Sequence, residues 1–148
     1  MLDDIFYFLL GALALLGMLV WFLVREIKRL KTHTFSGIVR VGEGNGERVG
    51  ALTANLDVAL AKHLPKGLYV CEIFIAKKAE RGVLYYGYNS VTNKNTLEVH
   101  VFDFVGDLYG KYLTIKTKQY LRAPKRFDTI ERLREQIKKD LVLARKMA

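Results

Sequence analysis

TLEVHVFDF, residues 96–104, is the stretch that decides the fold. Side chains on an extended chain alternate between two faces. Leu97, Val99 and Val101 therefore share one face, and Glu98, His100 and Phe102 share the other. This is the pattern of a strand with one side on a core. Downstream, GDLYG (106–110) reads as a turn and KYLTIKTKQYL (111–121) as a long strand. Upstream, VLYYGY (83–88) is a strand that runs into the turn-forming NSVTNKN. GLYVCEIFIA (67–76) is rich in β-branched and aromatic residues. FSGIVRV (35–41) ends in the glycine-rich GEGNGERVG (42–50). Five strands of 6–11 residues joined by turns predict an antiparallel sheet or small barrel.

A helix follows the strands. Asp128 reads as its N-cap, with Glu131 completing a capping box. Ile130, Leu133, Ile137, Leu141 and Ala144 recur at helical spacing, an apolar stripe to lay on the sheet.

The N-terminal part is of another kind. Residues 5–24, IFYFLLGALALLGMLVWFLV, hold 20 residues without a charge, about the ~20 needed to cross a bilayer as a helix. Trp21 and Phe22 sit where an interfacial aromatic belt belongs, and Gly11 and Gly17 are tolerated in such helices. Asp3 and Asp4 precede the stretch in place of basic residues, and no small-x-small cleavage site follows, which argues against a secretory leader. Arg25, Lys28, Arg29 and Lys31 come directly after it. The positive-inside rule then predicts a single-pass membrane protein whose C-terminal domain is cytoplasmic. The expected division is 1–32, anchor and basic linker, and 33–148, the folded domain.

Composition bounds the rest. Hydrophobic residues make up 51% and charged residues 26% of the 148, which excludes disordered and low-complexity classes. The single cysteine, Cys71, excludes an intrachain disulfide and a multi-cysteine metal site. His33, His63 and His100 show no metal-ligand spacing. All 24 basic residues and 13 of the 15 acids lie after Val24, a surplus of +11. Such a surplus attracts nucleotides, nucleic acid or anionic lipid. Aromatic residues do not interleave with basic ones as a stacking platform, so no nucleic-acid partner is expected.

Three groups carry candidate chemistry. The glycines of 42–50, Gly44 and Gly46 among them, allow backbone N–H groups to cradle phosphates. No Gly-Lys-Ser/Thr follows, so this is not a Walker A loop. Thr53 and Asn55, two apart on an extended segment, point the same way. Their hydroxyl and amide oxygens are hard ligands suited to Mg²⁺ beside phosphate. Glu98, a carboxylate among apolar strand neighbours, is a candidate general base for a hydroxyl nucleophile, with His100 as competitor. Each also has a plain structural reading, as a hairpin, a turn or a solvent-facing strand residue.

Taken in order, these segments resemble the riboflavin kinase (flavokinase) domain. The family signature, roughly G-x-x-x-G-R-x-x-G-x-P-T-A-N, is matched by GNGERVGALTAN (44–55). A Gly-Val-Tyr strand is matched by Gly67-Leu68-Tyr69, and a Gly-x-x-Pro-Thr turn by Gly87 to Val91. An E-x-H strand followed by D-F and D-L-Y-G is matched by Glu98-Val99-His100, Asp103-Phe104 and Asp107 to Gly110. Leu-Arg, a loop with Phe and a helix with a late Asp are matched by Leu121-Arg122, Phe127 and Asp140.

The resemblance implies a mainly β fold, a six-stranded Greek-key barrel with a C-terminal helix, here behind one transmembrane helix. It implies transfer of the γ-phosphoryl of ATP to the 5′-hydroxyl of riboflavin, giving FMN. Carried over by position, Thr53 and Asn55 hold Mg²⁺ and Glu98 is the base. Arg40, Gly44, Gly46, Val101, Asp103 and Tyr109 lie near the nucleotide, and Arg122 and Phe127 near the flavin. The domain is expected to act as a monomer, held to the membrane by residues 5–24. Three positions depart from the family pattern: Leu52 and Ser90 stand where it has proline, and Glu47 where it has a basic residue. They leave open a membrane-tethered flavin- or nucleotide-binding module that is slow or inactive.

Overall fold

A computed structural model describes residues 2–41, 53–89 and 92–147, and for 2–4 and 28–30 the backbone alone. The chain divides into two compact units, Met1–Lys31 and Thr32–Ala148. The first is a single helix, α1 (Leu2–Leu30). Its segment Ile5–Ile27 is long and apolar enough to cross a membrane, and none of it is buried. Twenty-three residues at 1.5 Å each give about 35 Å, enough for a ~30 Å hydrocarbon core. Arg25 stacks its guanidinium over Trp21, 5.4 Å from the ring centre.

The second unit is a six-stranded antiparallel sheet and a helix. The strands are β1 (Thr34–Ile38), β2 (Ala54–Leu56), β3 (Gly67–Ile75), β4 (Lys78–Asn89), β5 (Lys94–Val101) and β6 (Tyr112–Arg122). Their spatial order is β1-β6-β3-β4-β5-β2. Three strands in hairpin succession with the fourth returning beside the first, β6-β3-β4-β5, form a Greek key. Immediately after β1 the chain meets β2 at one antiparallel bridge, Arg40–Asn55, with the Arg40 N–H donating to the Asn55 carbonyl at 2.8 Å. The two edges of the sheet therefore meet, and the sheet must curl. Closure rests on that bridge and not on a full ladder.

The alternation read from β5 holds. Leu97, Val99 and Val101 enter the main core with Leu84, Ile73, Leu113 and Ile115. Each such side chain contributes about 1.5–3 kcal/mol by leaving water. Phe102, on the opposite face, enters a second core with Leu68, Val70, Val83 and Ala144. Ala144 belongs to α2 (Ile130–Met147), so the apolar stripe does lay this helix on the sheet. Gly82 on β4 leaves no room for a side chain beside β5. A Cβ there would stand 2.2 Å from the His100 carbonyl oxygen.

Several boundaries differ from the sequence reading. β4 starts at Lys78, five residues before Val83, because β3 and β4 are joined by the two-residue turn Ala76-Lys77. Both residues have positive φ, 48° and 73°, as a type I′ hairpin requires. The turn lacks the glycine or asparagine that normally announces it. β2 is three residues long, too short to show a period, so the residues alone gave five strands and the sixth came with the resemblance. β1 stops at Ile38 because its partner changes: the Val39 N–H donates to the Lys111 carbonyl and the next N–H turns to β2. β5 stops at Val101, where Asp103 takes φ 54°.

The capping box at Asp128 is corrected. The helix begins at Ile130, and Thr129 Oγ1 accepts from the Arg132 N–H at 3.3 Å. Asp128 instead pairs its carboxylate with the Arg132 guanidinium at 3.2 Å. Asp128 and Thr129 are both good caps, and it is Thr129 whose side chain meets a helix N–H.

Candidate active site

β5 carries Glu98 to the point where three strands meet. Its register partners are Tyr85 on β4 and Asn55 on β2. Directly opposed residues on antiparallel strands bring their Cβ atoms within about 4.5–5.5 Å. Asn55 and Thr53 are on the same side of the chain, and both line one cleft with Glu98. The cleft has a volume of about 450 Å³. Its apolar portion is formed by Leu68, Val83 and Tyr85 from the sheet and Leu133, Ile137 and Leu141 from α2.

Hydrogen bonds fix the polar portion. Asn89 Nδ2 donates to Glu98 Oε1 at 3.1 Å. The Tyr85 hydroxyl donates to the Tyr88 carbonyl at 2.8 Å. Burial pushes the Tyr85 phenol above its ordinary range, opposed by the nearby Arg122 charge and reinforced by Glu98. It stays a neutral donor at physiological pH. Thr92 Oγ1 and Thr96 Oγ1, also in this wall, are buried and lack a hydrogen-bond partner among the described residues.

The α2 side is held by charge. Arg122, near the end of β6, sets Nε and Nη2 on the Asp140 carboxylate at 2.5–3.0 Å. Gln136 Nε2 adds a bond to Asp140 Oδ1 at 2.8 Å. Both side chains are largely buried, 17% and 9% exposed. A bidentate, fully bonded pair of this kind is costly to break from one side. It anchors the helix that walls the cleft. Phe127 and Lys125, on the loop between β6 and α2, line the same space. At the β2 side, Arg40 pairs with Asp57 at 2.7 Å in an exposed position.

The cleft thus gathers Arg40, Thr53, Asn55, Glu98, Arg122 and Phe127 from the residues picked out in the sequence, together with His100. Val101, Asp103 and Tyr109 do not line it among the described residues. Val101 is in the core. Asp103 is exposed and bound by Arg145 at 2.7 and 3.0 Å, which holds its carboxyl below the ordinary range. Tyr109 is half exposed on the 106–110 turn, its N–H donating to Asp107 Oδ1. Gly44, Gly46, Glu47, Leu52 and Ser90 lie outside the described residues. Tyr85, Asn89 and Asp140 were not picked out as site residues. Asn89 and Asp140 had a signal only as members of the matched family motifs, the Gly87–Val91 turn and the late Asp of the helix.

The Thr53 hydroxyl and the Asn55 amide are hard oxygen donors of the kind a divalent cation takes together with phosphate and water, and they line the cleft beside the Glu98 carboxylate. Among the described residues no cluster of three His, Cys, Asp or Glu could form a protein-only cage.

A family model described as flavokinase, riboflavin kinase, matches residues 30–148. The chain is 33% identical over 109 residues to the RNA-binding riboflavin kinase RibR of Bacillus subtilis, covering 72% of this chain and 47% of that protein. It is 33% identical over 116 residues to the bifunctional riboflavin kinase/FMN adenylyltransferase of Pseudomonas fluorescens, covering 76% and 37%. It thus spans less than half the length of these relatives. The crystal structure of riboflavin kinase from Trypanosoma brucei superposes with a TM-score of 0.56 at 17% identity, over 79% of this chain and 80% of that one, a likeness of fold. From the match over residues 30–148 and the cleft beneath it, the chain belongs to the riboflavin kinase (flavokinase) family.

Proposed function

We propose that the folded unit transfers the γ-phosphoryl group of ATP to the 5′-hydroxyl of riboflavin, giving FMN and ADP. The observation that carries this reading is the convergence of Thr53, Asn55 and Glu98 in one cleft with an apolar slot beside them. Phosphoryl transfer asks little covalent chemistry of a protein; it asks for alignment and charge neutralisation. The slot walled by Leu68, Val83, Tyr85, Leu133 and Ile137 suits a flat, largely apolar ring system. Phe127 and Arg122, at its edge, are the flavin-side residues of this reading.

Glu98 is the general base. It takes the proton of the 5′-hydroxyl as that oxygen forms its bond to the γ-phosphorus. The bond from γ-phosphorus to the bridging oxygen breaks, and its electron pair leaves with ADP. Thr53 and Asn55 are the residues that would hold Mg²⁺, which supplies neutralisation of the phosphate charge when bound. The Tyr85 hydroxyl stays protonated and is a donor, not a competing base. Arg40, Gly44 and Gly46 belong to the nucleotide side, with Val101, Asp103 and Tyr109 assigned there by position in the family pattern.

The same proposal puts the enzyme on a membrane. Helix α1 would span it and Arg25, Lys28, Arg29 and Lys31 would keep the folded unit cytoplasmic. The test is one preparation: the full chain in detergent, incubated with riboflavin, ATP and Mg²⁺, the flavins separated by chromatography. FMN that requires both ATP and metal is the expected result. Riboflavin binding without FMN would replace the kinase by a binding module. Recovery of the chain in the salt-washed membrane fraction is expected, and recovery in the soluble fraction would remove the anchor.

A further inference from the structure

Asn89 is the last residue of β4, and its side chain enters hydrogen bonds of opposite sense. Its Oδ1 accepts from the Thr92 N–H at 3.3 Å, and its Nδ2 donates to Glu98 Oε1 at 3.1 Å. The first bond fixes which way the amide faces, because a backbone N–H can only be met by the oxygen. The second is then a donor held against a carboxylate.

The pairing is not a consequence of register. Glu98 faces Tyr85, and Asn89 stands four residues further along β4. In a flat ladder that is about 13 Å. The hairpin end must curl over this face to bring the amide to the carboxylate. Two further bonds hold the curl: the Tyr85 hydroxyl on the Tyr88 carbonyl at 2.8 Å, and the Tyr88 hydroxyl on Asn93 Oδ1 at 3.0 Å.

We infer that Asn89 is the positioning residue for Glu98: its amide N–H pins one carboxylate oxygen and turns the other towards the hydroxyl to be deprotonated. The terminal torsion of a glutamate is broad, so an unheld carboxylate spreads over orientations of which few are productive. Among the described residues, Asn89 provides the hydrogen bond that Glu98 accepts. Small misplacements of a reacting group are costly in rate. This inference rests on Glu98 being the base.

The decisive variant is Asn89→Asp in the full chain. It keeps the oxygen that caps the Thr92 N–H and removes the donor to Glu98. A residue that only shapes the turn would tolerate it. A positioning residue would not. Both Asn89→Asp and Asn89→Ala are expected to lower kcat about 10-fold, with KM for riboflavin and ATP within about twofold of the original. In a Glu98→Gln background the same changes are expected to have no further effect on kcat. Thermal unfolding of each variant checks that the fold survives; Asn89→Asp retains the turn bond if Asn89→Ala unfolds. Wild-type kcat in folded Asn89→Asp would overturn the inference while a slow Glu98→Gln left the base assignment standing. Wild-type kcat in Glu98→Gln, or no FMN from the unaltered chain, would remove both.

Discussion

The two faces of β5 are built to different ends. Leu97 and Val99, 1% and 0% exposed, are locked among other side chains of the main core. Glu98 and His100, between and beyond them on the same backbone, are partly exposed and line the cleft. A period of two lets one strand supply packing and chemistry at alternate residues. On the proposed reading, the packed face fixes where Glu98 points, so the precision of the site is borrowed from the core. Substitutions on one face should therefore move stability, and on the other, rate.

The largest expected effect tests the wall opposite β5. Asp140→Ala leaves Arg122 buried without its partner, a loss of about 3–5 kcal/mol, read as a lower denaturant midpoint. An effect below about 1 kcal/mol would mean that the pair does not anchor α2. Leu97→Ala breaks the packed face. It should cost about 2–5 kcal/mol while kcat, measured well below the lowered melting point, stays within a few-fold of the original. A loss of kcat with full stability would blur the two faces into one.

Smaller changes sharpen the comparison away from the site. Lys77→Gly relieves a positive φ of 73° in the β3–β4 turn. It should add about 0.5–1 kcal/mol of stability with no change in rate. The smallest effect concerns Asp103, whose carboxyl Arg145 holds below its ordinary range. The folded value is the lower one, so the pair stabilises the fold above the unfolded carboxylate pKa of about 4 and loses that contribution as pH falls through the folded value. The melting-point gap between the original chain and Arg145→Met should be small at neutral pH and close below about pH 4. A gap that widened on acidification would reverse the sign.

What was legible in the sequence was what local pattern controls. β5 announced itself by alternation and α2 by its stripe; Thr53, Asn55 and Glu98, singled out by residue type and spacing, line one cleft. The start of β4 was hidden because Ala76-Lys77 makes a glycine turn without glycine. β2 was hidden because three residues carry no period. Tyr85 meets its partner within β4 and Asn89 across the hairpin, so their residue types alone do not mark them; Asp140 was marked only as the late Asp of the helix, not by its partner Arg122. Asn89 reaches Glu98 only because the hairpin curls, and curl is a property of the whole sheet. Arg122 shows the converse: the family resemblance implied a flavin-side role, and the fold gives it a structural partner in Asp140.

The central claim is that one face of β5 does chemistry that the fold does not need. Glu98→Gln, nearly the same shape, tests it most directly by paired measurement of FMN formation and thermal unfolding on the full chain. The account predicts a kcat at least about 10²-fold lower and an unfolding midpoint within a few degrees of the original. Undiminished FMN formation, or a collapse of stability in step with activity, would contradict it.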